Sequence, residues 1–339
     1  MESTRVRAVA PGRVNLIGDH TDYTGGLVLP MAIDLATTVV GRRGGAGVFL
    51  DSEEEAEEAV VPLGVGEPAR AEPAWARYVA GIVSVIGPPT GFAGRVSTTL
   101  PLGAGLSSSA ALEVAVALAL GFEGSALELA LACQKAEQLA SGVPSGIMDQ
   151  LASAAGVEDH ALLIDCEALT VGPVAVPEDV DVVVIHSGEP RRLADSAYGE
   201  RRAQCEAAAG LIGPLRRAAL DEVEAITDPL VRARARHVVT ENRRVSEFAT
   251  ALEAHDLDAC GALMVDSHRS LREDFEVSTP RLDSMVEELV ATAGVYGARL
   301  SGAGFGGCVV ALARQGALHQ GWRVKASGGA FVEALAHED

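Results

Sequence analysis

Residues 12–26, GRVNLIGDHTDYTGG, constrain this chain more than any other stretch of it. They carry four glycines, one arginine, one histidine and two aspartates, with the apolar pair Leu16-Ile17 set between the polar clusters. Glycine lets a backbone turn sharply and approach another group closely. Asp and His supply the acceptors and donors that hydroxyl groups need. Such a segment is anchored to a core by Leu16 and Ile17 and offers its polar remainder to a small ligand. A charged turn between two strands is the competing reading of the stretch taken alone.

A chain of 339 residues exceeds the size at which one core stops growing, so two domains are expected. The net charge of −20 excludes nucleic acid and anionic membranes as partners, because a polyanion repels both. The five cysteines stand singly, with no Cys-x-x-Cys pair, which fits reduced thiols and not a metal-thiolate site. The first residues, MESTR, show no apolar signal segment, and no run reaches the roughly eighteen apolar residues of a membrane span. A cytoplasmic location follows as the expectation.

Residue patterns predict strands at 6–10 (ended by Pro11-Gly12), 37–41, 47–50 and 95–100, then helices at 110–120 and 126–141. The acidic run 52–58 reads as solvated surface. A buried-strand pattern at 181–185 follows Pro177, which places a domain boundary between 1–176 and 177–339. Long helices are expected at 196–210, 229–255, 257–271 and 281–293, with strands at 298–300 and 308–313.

Two more glycine-rich segments lie far from the first. PLGAGLSSSAA, 101–111, joins a predicted strand to a predicted helix. Backbone N–H groups of such a turn face a helix N-terminus and make a phosphate site, while its serines can cap the helix or ligate Mg²⁺. A plain Ser-capped helix is the equal alternative, and no Walker lysine is present. SGAGFGG, 301–307, contains a literal G-x-G-x-x-G, but a β-type run, CVVAL, follows it where a dinucleotide fold needs a helix. It reads as a tight loop between two strands that buttresses another loop. Asp149, at the start of a helix after the loop 142–147, reads by itself as a helix-dipole aspartate.

In this order and spacing the three segments resemble the GHMP small-molecule kinases, and within them the galactokinase branch. Arg13 to Gly26 is similar to the sugar signature of that branch, Gly103 to Ala110 to the ATP loop of the superfamily, and 301–307 to its third motif. Trp75-Ala76-Arg77-Tyr78-Val79, Ala194-x-Ser196-Ala197-Tyr198-x-Glu200-Arg201-Arg202 and Ser278-x-x-x-Leu282-Asp283 match as well. The resemblance implies an α+β fold of two domains: an N-terminal domain of ribosomal-protein-S5-like type and a C-terminal split βαβ, ferredoxin-like domain. It implies ATP- and Mg²⁺-dependent phosphorylation of D-galactose at C1 by a monomer acting on small molecules.

The same resemblance implies the site. Asp149 would be the base facing the anomeric hydroxyl, with Arg13 beside it and the γ-phosphate. Asp19, His20, Asp22, Gly146 and Tyr198 would hold the sugar. Gly103, Gly105, Leu106, Ser107, Ser108 and Ser109 would hold the phosphates, Trp75 and Tyr78 would border the adenine, and Ser109 with Glu137 would hold Mg²⁺. The family usually has Glu where this chain has Asp19, and the shorter carboxylate implies a relaxed or shifted sugar preference. A sugar 1-kinase with another monosaccharide preference, or a non-catalytic galactose and ATP sensor, are the alternatives. The intact Arg13, Asp149 and serine triplet weigh against the sensor.

Overall fold

The computed structural model describes residues 4–101, 103–189 and 194–336, with the backbone alone described at 194–196. Leu102 and the side chains of Ala194 and Ser196, quoted above, lie outside the described residues, as do the first three of the chain. The first half runs β1 (Arg5–Asn15), β2 (Leu27–Val28), β3 (Pro30–Arg43), β4 (Gly47–Ser52), β5 (Ala59–Pro62), α1 (Ala76–Ile86), β6 (Phe92–Thr98), α2 (Ser108–Ala119), α3 (Ala126–Ser141), α4 (Met148–Ala155), β7 (His160–Asp165) and β8 (Thr170–Ala175). The second runs β9 (Val180–His186), α5 (Ala194–Ile212), α6 (Leu220–Glu224), α7 (Pro229–Glu253), α8 (Leu257–Glu273), α9 (Pro280–Val290), β10 (Val295–Ser301), β11 (Cys308–Arg314), β12 (Trp322–Val324) and β13 (Phe331–Ala334).

A six-stranded sheet, ordered β13-β1-β3-β6-β4-β5, carries α2 against β1 and β3. Its β4–β6 pair is parallel, so the chain between them must cross over, and it does so through β5 and α1. β1 does not end at Pro11-Gly12 as the sequence suggested. The strand absorbs the pair in a register shift between Pro11 and Arg13 and continues to Asn15. Gly12 is required there, because a Cβ would lie 2.4 Å from Leu100 Cδ2 and 2.5 Å from Leu106 O. The bulge thus lets Leu100 and Leu106, which flank the second glycine-rich turn, press on the strand that carries Arg13.

The second sheet is antiparallel, ordered β10-β11-β9-β12. By chain position this is 2-3-1-4, the order of a split βαβ unit, with a short turn at 315–321 where that unit has its second helix. Alternate residues of β9 and β11 face opposite ways, as the period of a strand dictates. Val182, Val184, Val310 and Leu312 enter the large core shared with the first half. Val183, Ile185, Val309 and Ala311 enter a second core under the long helices. Those helices begin where their caps say: Asp228 and Thr279 accept from the first turns of α7 and α9, each with Pro at the first helical position.

The expected division at 176/177 needs one correction. After β12 the chain runs back along β3, with Asp34 N donating to Lys325 O and Ser327 N to Ala32 O, and β13 pairs with β1. The six-stranded sheet is therefore closed by residues from the far end of the chain.

Candidate active site

The first motif is shaped from behind. Gly18 has φ +102, and a Cβ there would meet Val245 Cγ2 at 2.8 Å and Leu27 O at 2.9 Å. His20 takes φ +66, an unusual conformation for a side chain of its size. One residue in each of the other two motifs does the same, Ser107 at +60 and Phe305 at +58. Such strain persists only where surrounding contacts over-determine it, and it gathers at functional sites.

The third motif supplies those contacts, as the sequence led us to expect of a loop between β10 and β11. Gly302 N donates to Asp19 Oδ1 at 2.9 Å, and His20 Nε2 meets Ala303 O at 3.2 Å. Arg299, fully buried on β10, donates to Asp19 Oδ2, to the carbonyls of Asn15 and Leu16 and to Ser267 Oγ. Glu241, also fully buried, accepts from Gly18 N, Ser267 Oγ and Arg244, and against the effect of burial the charges of Arg244 and Arg299 help hold its carboxyl near 2.

The expected sugar ligands surround a cavity of about 290 Å³ lined by Arg13, Asp19, His20, Asp22, Gly146, Asp149 and Tyr198. Asp22 presses on Gly146 so closely that a Cβ there would sit 1.8 Å from Asp22 Oδ2, and the Tyr198 hydroxyl meets the Gly146 backbone. Burial, then the nearby charge of Asp149, pushes Asp22 up to about 7. Asp19 lines the cavity with each oxygen accepting one bond and keeping acceptor capacity, whereas the ring of His20 has none to spare. The bonds to Asp19 come from Arg299 and Gly302, and both ring nitrogens of His20 are engaged, since Ala303 O takes the Nε2 proton and Tyr23 Oη faces Nδ1 at 3.0 Å. Burial lowers His20 to about 4, so it is a neutral wall residue.

A second cavity, about 630 Å³, shares Arg13, Glu137 and Asp149 with the first. Arg13 donates to both oxygens of Asp149, Nε to Oδ1 and Nη2 to Oδ2, each at 2.7 Å, and Nη1 donates to Gly105 O at 2.8 Å. Gly103, Gly105, Ser107, Ser108 and Ser109 line this cavity. The Ser-capped alternative fails: Ser107 stands at the N-cap of α2, but its hydroxyl accepts from no N–H of the helix and donates to Asp149. That leaves N–H groups of the first turn open to an anion. Leu106 is corrected as a ligand. Its side chain is buried and off the cavity, and its carbonyl accepts from Arg13 N.

Trp75 and Tyr78 border a neighbouring cavity of about 310 Å³ with Ser108 and Ser109. Trp75 precedes α1 and donates from its indole to Glu57 O. Ser109 Oγ lies 3.3 Å from Glu137 Oε1. A hydroxyl and a carboxylate at the edge of this cavity are hard oxygen donors of the kind Mg²⁺ accepts. Beneath Glu137, Gln150 Nε2 bridges Glu137 Oε2 (3.0 Å) and Glu113 Oε2 (3.1 Å), and burial holds Glu113 well above the usual carboxylate range.

Sequence reading missed Glu113, Gln150, Glu241 and Arg299. A signal existed for two of them, a lone Glu in the apolar helix SSAALEVAVALA and a lone Arg inside the strand VYGARLS.

Three family descriptions match the chain: the galactokinase galactose-binding signature at residues 2–43, the GHMP kinase N-terminal domain at 76–157 and the GHMP kinase C-terminal domain at 248–323. Human galactokinase is 46% identical over 323 residues, 89% of this chain and 82% of that protein. The chain belongs to the galactokinase family. A galactokinase of Roseiflexus is likewise 46% identical, over 325 residues. The crystal structure of Lactococcus lactis galactokinase complexed with galactose superposes with a TM-score of 0.89 at 32% identity, covering 96% of this chain and 95% of that one. Methanococcus jannaschii mevalonate kinase, at 19% identity and a TM-score of 0.64, shares the fold.

Proposed function

We propose that the chain transfers the γ-phosphoryl group of ATP to the C1 hydroxyl of D-galactose, giving α-D-galactose 1-phosphate and ADP. The observation that carries this is the Arg13–Asp149 pair standing in the wall common to two cavities. One cavity is lined by carboxylates, a tyrosine and a bare glycine backbone and suits a polyol. The other is lined by a glycine loop, serines and a helix N-terminus and suits phosphates.

Asp149 Oδ2 already accepts from Arg13 and Ser107, whereas Oδ1 accepts one bond and keeps acceptor capacity. A sugar hydroxyl donating to Oδ1 passes its proton to Asp149 as its oxygen attacks phosphorus. Arg13 orients the carboxylate and faces the charge that spreads over the transferred group. Asp19, Asp22, Tyr198 and the Gly146 backbone hold the sugar hydroxyls, while His20 sets the wall behind them. Ser108, Ser109, Gly103 and Gly105 cradle the phosphates, and Trp75 with Tyr78 border the base.

Ser109 and Glu137 are the residues that would hold Mg²⁺, which when bound neutralises phosphate charge. The protein acts as a cytoplasmic monomer on small molecules, with neither nucleic acid nor membrane as partner. Its two units divide after residue 176, with 325–336 returned to the first. The test is ATP turnover with Mg²⁺ across a panel of monosaccharides, the phosphate position read by NMR. Galactose phosphorylated at C1 is the expected result. Turnover confined to another sugar would move the substrate, and galactose binding without turnover on any sugar would overturn the reading.

A further inference from the structure

His186 ends β9 and, with Gly188, lines the larger cavity together with the glycine loop. It comes from the second half of the chain, whereas Arg13 and the serines come from the first. The turn that follows it is fixed. Ser187 N donates to Gly307 O at 2.8 Å, Gly307 N to Glu189 O at 3.2 Å, and Thr279 Oγ1 to Glu189 Oε2 at 2.7 Å. Gly188 N donates to His186 Nδ1 at 3.0 Å. A ring nitrogen that accepts from an N–H carries no proton, so the proton of the neutral imidazole is on Nε2. Nε2 has no partner among the described residues.

The charges around this cavity leave a need for such a donor. Glu137 and Asp149 both line it, and among the described residues that line it the one permanent cation is Arg13. Nε, Nη1 and Nη2 of Arg13 are each already engaged, by Asp149 and by Gly105 O. A polyphosphate entering here meets the backbone N–H groups and serine hydroxyls of one wall. We propose that His186 adds a contact from the second half of the chain, donating from Nε2 to a phosphate oxygen of the nucleotide. This rests on the reading of the cavity as the phosphate site. It gives the second half of the chain a direct hold on the nucleotide.

The test is calorimetric titration of the full chain with Mg²⁺ and a non-hydrolysable ATP analogue, with galactose titrated separately. A hydrogen bond to a charged group sets the expected loss in His186→Ala at about tenfold or more in nucleotide affinity, with galactose affinity unchanged. Two further variants separate the phosphate role from the turn. His186→Asn restores an acceptor for Gly188 N but lacks the reach of Nε2, so it should bind like His186→Ala. His186→Gln places a donor near Nε2 and should bind within about threefold of the parent. Analogue affinity unchanged in His186→Ala, or restored by Asn but not by Gln, overturns the role of His186 alone. If the parent chain binds no nucleotide, the phosphate reading of the cavity falls with it.

Discussion

Replacing Arg299 by Met tests whether the sugar loop depends on a cation supplied from the far end of the chain. The guanidinium is fully buried, and its partner Asp19 is almost so, with side-chain exposures of 0% and 2%. Met keeps most of the volume and removes every donor. Asp19 would then keep one hydrogen bond, from Gly302 N, and Leu16 O would lose its bond to Nη1. Removing one partner of a buried ion pair costs about 3–5 kcal/mol, because the remaining charge is stranded. Against a typical stability of about 5–15 kcal/mol the variant still folds, at a lower urea midpoint. In Arg299→Met/Asp19→Asn the stranded charge is gone. The double variant should therefore be more stable than the summed single losses predict, by about 2 kcal/mol. Urea unfolding followed by circular dichroism gives the cycle, and galactose titration should show weakened sugar binding with nucleotide affinity retained. A loss below about 1 kcal/mol in Arg299→Met, or strict additivity in the cycle, refutes the reasoning.

Other outcomes follow from the same contacts. Asp149→Asn should lower kcat by about 10²–10⁴-fold while calorimetry still detects galactose binding, and full turnover would remove Asp149 from the chemistry. Gly146→Ala drives a methyl into Asp22 Oδ2 and should raise the galactose KM at least tenfold, by a rough estimate of a displaced charged hydrogen bond, with the ATP KM little changed. His237, its ring on Ser270 and Asp19 O, is lowered by burial from 6.5 to about 3. Below pH 6.5 the unfolded chain takes a proton that the folded one refuses, so this histidine's contribution to stability falls as pH falls toward 3. Between pH 7.5 and 5 the parent should lose about 2 kcal/mol more than His237→Gln in urea unfolding, and equal losses would contradict the depressed value. Asp22, raised to about 7, shifts both proteins the other way and cancels in the comparison.

The sequence disclosed what is local. The three motifs could be read because each keeps its chemistry within a few consecutive residues, and the glycines mark the turns that need them. The hairpin reading of 301–307 held because CVVAL is β-branched and too short for a helix. What escaped depends on distant partners. Arg299, 280 residues away, holds the carboxylate of Asp19, and nothing in the first motif announces it. Whether the serines of 107–109 cap α2 stayed open until Ser107 was found donating to Asp149, 42 residues on, with no helix N–H on its hydroxyl. β13 has no pattern of its own, since all four of its residues are exposed, and only its pairing with β1 makes it a strand.

That last pairing also has a mechanical meaning. The two halves are joined by the polypeptide twice, once between β8 and β9 and again between β12 and β13. A cut in the polypeptide at either crossing would leave the halves tied by the other crossing, and by the apolar core that both of them share.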